Sequence, residues 1–243
     1  MDFINKIVNR SKDPNRYELP TIAFLGDSVT QGCFELYVNN ENLVKTIFEQ
    51  RYTYVNCVKH IFEILFPQTP INFINAGISG GHAWQGYDRL RKDVLSFQPD
   101  LTIVCFGLND CNQGVNGLAQ YKLSLENIFK TLLENGSEVI FMTANMMNTE
   151  VSCHIKDEKI EEIAKGTAIL QNNGILETYF NEGKIIAEKY GIKVCDVYQK
   201  WKVMNECGVD TTNLLSNYIN HPNRQLHWLF AYSLVECMFD WNF

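Results

Sequence analysis

The sequence predicts an α/β domain, a three-layer α/β/α sandwich around a mainly parallel five-stranded sheet. Short apolar runs recur at 21–26, 70–75, 101–106, 138–143 and 192–196. Amphipathic stretches separate or follow them near 51–66, 84–97, 117–135, 157–190 and 222–239, the fourth interrupted at Asn172-Asn173-Gly174. Strands that are almost uniformly apolar, rather than alternating, are those covered by helices on both faces. The 243 residues, 46% hydrophobic and 20% charged, suit one α/β domain with a substantial core. No repeat, low-complexity tract or linker divides residues 1–243, and the polar residues 1–18 read as an arm or helix leading into the first strand.

The first strand, 21–26, stops abruptly on Gly26-Asp27-Ser28 and leads into a helix start. A serine there can point into the crevice beyond the carboxyl ends of a parallel sheet, where open α/β folds bind ligands. It also lies at a helix N-terminus, whose free N–H groups suit a developing oxyanion. The plainer reading is that Asp27 or Ser28 caps the helix. Residues 34–53 make a longer excursion than a strand-to-helix turn needs. With Glu35, Tyr37, Arg51 and Tyr52, they either roof a pocket or form a surface insertion.

The loops after the next strands carry equally unusual residues: Gly77 to Gly81, Gly107 to Asp110, and Asn145-Met146-Met147. All would project from the same sheet edge as Ser28. Near the end, Asn220-His221-Pro222-Asn223 precedes the last amphipathic segment. Histidine is the residue type best suited to act as a base near neutral pH. Of five histidines, His221 stands in a loop, with Pro222 fixing the backbone that follows. His227 reads better as a packed helical residue, and His82 lies close enough to the second loop to line a pocket.

Four blocks thus stand in a fixed order: Gly26-Asp27-Ser28; Asn75-Ala76-Gly77-Ile78-Ser79-Gly80-Gly81; Gly107-Leu108-Asn109-Asp110; and Asn220-His221-Pro222-Asn223. Together they make the chain resemble the SGNH hydrolases, or GDSL esterase/lipase family, across residues 20–235. The resemblance implies a flavodoxin-like SGNH fold with Ser28 as nucleophile and His221 as base. It assigns the oxyanion to the backbone N–H groups of Ser28 and Gly80 and to the Asn109 amide, with Asp27 in the same binding loop. Glycine lets backbone approach a substrate, and asparagine supplies a neutral donor.

One position departs from the family. Its usual aspartate, three residues before the catalytic histidine, is Tyr218 here, and no carboxylate occurs between Asp210 and Glu236. Three groups could orient the ring instead: Asn217, a backbone carbonyl, or Asp210 folding back. A Ser28–His221 dyad steadied by Asn217 or a carbonyl is the expectation. Leu226 stands where the family often has glycine, a change expected to touch only helix packing.

The reading is therefore a serine esterase acting through an acyl-enzyme on short-chain acyl esters, with acetylated carbohydrates as one candidate class. Glu35, His82, Trp84, Gln113 and Asn145 near the expected pocket suit a polar alcohol. The alternative is a catalytically weak glycan- or acyl-metabolite-binding protein. A net charge of −7 argues against nucleic acid and anionic membranes as partners. Neither a signal-like N-terminus nor a run of roughly 18 apolar residues is present, so the cytoplasm is the expected location. Eight scattered cysteines without Cys-x-x-Cys pairs, and no histidine–carboxylate set of ligand spacing, point to reduced thiols and to no metal or cofactor. Neither loop nor helix carries a glycine-rich nucleotide fingerprint. Trp228, Phe230, Trp241 and Phe243 are expected to pack the last helix onto the sheet.

Overall fold

A computed structural model describes residues 1–240; Trp241 and Phe243 lie outside the described residues. The central sheet runs β4-β1-β5-β6-β7, every neighbouring pair parallel. These strands are β1 (Thr21–Gly26), β4 (Asn72–Gly77), β5 (Leu101–Cys105), β6 (Glu138–Thr143) and β7 (Lys193–Asp196). β1 and β5 are buried along their whole length, whereas the edge strands β4 and β7 are partly exposed. All five predicted strands are present. β4 begins two residues later than its apolar run because Pro70 cannot donate to a ladder; pairing starts where the Asn72 N–H meets the Pro20 carbonyl, 2.9 Å away. Ala76, beyond the predicted run, and Gly77, read as loop from the sequence, complete that strand.

The helices form the outer layers. α3 (Tyr54–Leu65) packs with α9 (His227–Phe239), and α4 (Ala83–Asp93), α5 (Leu118–Glu134) and α7 (Ile175–Lys189) form a second connected group. The break predicted at Asn172-Asn173-Gly174 separates α6 (Glu158–Asn172) from α7, with Gly174 at φ 70° supplying the left-handed residue. The N-terminal arm is α1 (Asp2–Lys12), seated through Phe3 and Ile7. Trp228 and Phe230 both pack on the core, Phe230 fully buried.

The helix start expected at Ser28 is α2 (Ser28–Gln31), a single turn. Three elements were not foreseen: α8 (Val197–Glu206), which follows β7 directly, and the antiparallel hairpin of β2 (Cys33–Val38) and β3 (Val44–Phe48) formed by residues 33–48. The hairpin occupies the long excursion noted in the sequence. Strand order reverses beside β1, between β4 on one side and β5 on the other. In open parallel sheets ligands bind beyond the carboxyl ends of the strands at such a point. Ser28 and Asn109 follow β1 and β5 respectively. Among the described residues, no helix is long and apolar enough to cross a membrane.

Candidate active site

Backbone packing forces the turn after β1. A Cβ on Gly26 would lie 2.1 Å from the Thr30 hydroxyl and 2.9 Å from the Cys105 carbonyl, so only glycine fits between α2 and β5. Asp27 caps α2, its Oδ1 accepting from the Val29 N–H at 3.0 Å. Ser28 is the first residue of that turn and is 3% exposed. Asp27 itself is fully buried, which corrects the expectation that it contacts substrate; its side chain shapes the nucleophile loop from beneath.

His221 arrives from the far end of the chain on a tightly braced loop. Asn217 Oδ1 accepts from the N–H groups of Ile219, Asn220 and His221 at 2.9–3.0 Å, and Ser216 N–H bonds to the His221 carbonyl at 2.8 Å. Asn145, buried, donates to the Asn220 carbonyl at 2.9 Å, so it anchors this loop and does not line a pocket. The result brings His221 Nε2 to 3.1 Å from Ser28 Oγ.

The other ring nitrogen settles the orientation. His221 Nδ1 lies 2.8 Å from the backbone carbonyl oxygen of Phe34, in β2. A carbonyl can only accept, so Nδ1 carries the proton and Nε2 presents its lone pair to the serine hydroxyl. The expectation that Asn217 orients the ring is corrected: its amide is committed to backbone N–H groups and to Asn220. Asp210 does not fold back, since its carboxylate is bonded to Asn213. Burial pushes the His221 imidazole down to about 4, opposed by the Phe34 carbonyl and the Glu35 charge. The ring is therefore neutral at neutral pH. His227 is a packed helical histidine, its Nδ1 accepting from the Tyr54 N–H at 3.0 Å and its ring stacked with Tyr54 and Phe230.

The remaining loops are bonded to one another around Ser28. Ile78 N–H donates to the Gly26 carbonyl at 3.1 Å, Ser79 N–H to Gln31 Oε1 at 2.6 Å, and Asn109 Nδ2 to the Gly81 carbonyl at 3.1 Å. Gly80 sits exposed at φ 74° with nothing within 4 Å of a notional Cβ. Asn109 spends one amide hydrogen on Gly81 and keeps the second. Beneath, Arg89 donates to the carbonyls of Gly26 (2.9 Å) and Ala76 (2.5 Å), tying the ends of β1 and β4. Asp110 Oδ1 accepts from Ala83 N–H at 2.9 Å and fixes the start of α4. Asp27 and Asp110 each leave one buried oxygen unpartnered; burial raises Asp27 to about 7 and Asp110 to about 6.

Of the residues expected near a pocket, Trp84 is half-exposed and Gln113 is at the surface. His82 begins α4, and Glu35 is held by an arginine. Sequence reasoning allowed for a backbone carbonyl beside the ring but did not identify it as that of Phe34, and it missed Arg89 and Arg224. A main-chain acceptor has no residue-type signal, and the arginines stand in helical or loop contexts that read as surface charge. Among the described residues no cluster of three or more His, Cys, Asp or Glu is placed to hold a metal ion.

Comparison places this fold among known proteins. No curated protein sequence gives a significant match. The two-domain esterase CEX, active on acetylated mannans, superposes with a TM-score of 0.66 at 20% identity, covering 98% of this chain and 52% of that one. The present chain thus spans about half the length of that protein. A lipase/acylhydrolase from Enterococcus faecalis gives 0.65 at 20% identity, covering 90% and 94%. A catalytic mutant of Axe2, an acetylxylan esterase from Geobacillus stearothermophilus, gives 0.66 at 18%, covering 89% and 93%. At these identities the likeness establishes the α/β/α fold. The sequence profile of the GDSL-like lipase/acylhydrolase family, in contrast, matches residues 24–229, from β1 through the start of α9. The chain therefore belongs to the GDSL-like lipase/acylhydrolase family of ester hydrolases.

Proposed function

We propose that this protein is a serine esterase working through an acyl-enzyme, with Ser28 as nucleophile and His221 as base. The observation that carries the reading is the 3.1 Å approach of His221 Nε2 to Ser28 Oγ in the one tautomer able to accept the serine proton. As Ser28 Oγ attacks the ester carbonyl carbon, its proton passes to Nε2. The N–H groups of Ser28 and Gly80 and the free Asn109 amide hydrogen receive the oxyanion. The imidazolium then protonates the departing alkoxide, leaving the acyl group on Ser28. Water, deprotonated by the same nitrogen, releases the acid and restores the serine. The imidazolium is stabilised by the Phe34 carbonyl and the Glu35 charge in place of a directly bonded carboxylate.

An acetylated carbohydrate is the substrate class favoured. A cleft of about 310 Å³ lies beside the dyad, between β2, the start of α6 and the histidine loop; Glu35, Tyr37, His154, Asn217 and Tyr218 are among its lining, and Ser28 and His221 are not. Tyr218 stacks on His154 at 5.2 Å, and the flat rings and polar edges suit a sugar alcohol. Acetylated mannans and acetylxylan, named for the structural neighbours, support the same class. The test is p-nitrophenyl acetate hydrolysis by the wild type beside Ser28→Ala, followed by acetyl release from acetylated mannan and xylan oligosaccharides. Loss of the wild-type rate in Ser28→Ala supports the chemistry. Equal background rates in both proteins reject it and leave a binding protein of the same fold.

A further inference from the structure

Phe34, whose carbonyl sets the His221 tautomer, is not held by its own strand. The β2–β3 ladder is irregular between Cys33 and Leu36, so Phe34 and Glu35 fall outside its paired register. What β3 holds is the neighbouring carbonyl, that of Glu35, which accepts from Thr46 Oγ1 at 3.2 Å. Something else must fix the Phe34 carbonyl, because a shift of its position would free the ring to rotate or to exchange tautomers.

Arg224, three residues after His221, reaches across to this segment. Its Nη1 and Nη2 bond to the two oxygens of Glu35 at 2.6 and 2.9 Å, and its Nε to Glu49 Oε2 at 2.5 Å, with a further Nη2 contact to the same Glu49 oxygen. The guanidinium carbon stands 4.5 Å from the centroid of the Phe34 ring, and 5.8 Å from that of Tyr52. On the buried side the Phe34 ring meets His227 at 5.2 Å. Phe34 is thus held between Arg224 and His227, and Glu35 and Glu49 are drawn to the same guanidinium. The two chain segments that must stay in register, one carrying the acceptor and one the base, are joined by one side chain. Only the planar fork of arginine makes a bidentate pair, a third bond and a ring stack together; lysine is a point charge.

We propose, on the basis of the serine-esterase reading above, that Arg224 is a positioning residue. It clamps Glu35 and Phe34 against the histidine loop and so keeps His221 protonated on Nδ1 and open on Nε2. The clamp does for this chain what an aspartate on the histidine loop would do by direct contact.

The test is ring-nitrogen NMR of the ¹⁵N-labelled full chain at neutral pH, with kinetics on p-nitrophenyl acetate. The two buried histidines give opposite signatures: His221 protonated at Nδ1, His227 at Nε2. His221→Gln identifies which signals vanish. In Arg224→Lys and Arg224→Leu the His221 signals should move toward a tautomer mixture, while those of His227 stay. In the same variants kcat should fall about 10- to 100-fold, as misplacement by an ångström does, with KM within about threefold. Glu35→Gln, which still accepts from Arg224, should give a smaller loss in the same direction. A folded Arg224→Lys with the wild-type tautomer and kcat overturns the proposal, even should Arg224→Leu fail to fold. The esterase reading fails separately, if Ser28→Ala keeps the wild-type rate; the NMR result is independent of that outcome.

Discussion

The carbonyl oxygen of Phe34 and the Nδ1 nitrogen of His221 meet at 2.8 Å across 187 positions of sequence. That contact does the orienting work for which the family usually employs a side-chain carboxylate. A carbonyl fixes the tautomer as firmly as a carboxylate, since neither can donate. It differs in carrying no charge, so in the proposed reaction the imidazolium would rely on the Glu35 side chain, one residue further on.

Asn217 then has a different task, and its variants separate the two. Asn217→Ala removes an acceptor shared by three loop N–H groups, at least two of them buried. It should cost about 1–3 kcal/mol of stability, by the usual penalty for stranded donors, and lower kcat with it. Asn217→Asp keeps the acceptor and loses only the donation to Asn220. It should retain most of the stability and give no gain in kcat, because its carboxylate faces the backbone rather than the ring. Thermal unfolding and p-nitrophenyl acetate kinetics check both, and a rise in kcat for Asn217→Asp would show that the side chain reaches Nδ1 after all.

Asn109 carries the oxyanion prediction. Asn109→Ala should lower kcat about 10²–10³-fold with little change in KM, the loss typical of one removed donor. It also frees the Gly81 carbonyl, so part of the effect is loosening of the Gly80 loop. Asn109→Asp keeps the shape but offers an acceptor where a donor is needed, and should be at least as damaging. Steady-state kinetics on a short acyl ester decides this. Near-wild-type turnover in both variants would remove Asn109 from the site.

Much of this site was legible because residue type and position carry it. The apolar run 21–26 ends where β1 ends, and Ser28 and Asn109 follow adjacent strands by the logic of parallel sheets. His221 stood out as the loop histidine before a proline. What was not legible has a common cause. The hairpin 33–48 buries little of β3, so it shows no clean alternation, and residues 34–53 read only as an excursion. The Phe34 carbonyl is main chain and has no signature of its own. The Arg224 clamp depends on a long-range approach that no spacing encodes.

Protonation gives opposite expectations for activity and stability. Burial holds His221 at about 4, so its base form persists through mild acid. The acid limb of kcat/KM should fall near pH 4–5, below the ordinary imidazole value of about 6.5. An acid limb at the ordinary value would mean that the ring is solvated in solution. For folding the same depression works against the protein: below about pH 6.5 the unfolded chain takes up protons that buried His221 and His227 refuse, and that stability is lost as pH falls. Asp27 acts in the other sense. Its carboxyl, raised from 3.8 to about 7, favours the folded state at low pH, and this contribution is lost as pH rises from about 4 to about 7. Asp27→Asn should therefore remove a downward contribution to Tm between about pH 4 and pH 7, so that Tm climbs more steeply with pH there than in the wild type, and an unchanged profile would show that Asp27 does not titrate in that range.

Two glycines, one ending β4 and one in the loop that follows, provide the sharpest structural test, since their surroundings are opposite. A Cβ on Gly77 would lie 2.3 Å from the Gln31 nitrogen and 2.7 Å from the Thr30 carbonyl carbon, both main chain. Neither can move without displacing α2 and, with it, Ser28. Gly77→Ala should cost at least the 1–3 kcal/mol of an overpacked core and depress kcat by misplacing the nucleophile. Gly80, at φ 74° with open space around it, pays only the left-handed backbone penalty of about 1 kcal/mol. Gly80→Ala should then lower Tm by about 2–4 °C for a chain of this size, and Gly77→Ala by at least twice as much. The Gly80 N–H survives the substitution, so an oxyanion contact through it should persist, with kcat reduced far less than in Gly77→Ala. Scanning calorimetry beside ester hydrolysis measures both. A tolerated Gly77→Ala with a crippled Gly80→Ala would mean that the β4 loop does not pack against α2 as described, and that the space beside Gly80 is filled by substrate or by another part of the chain.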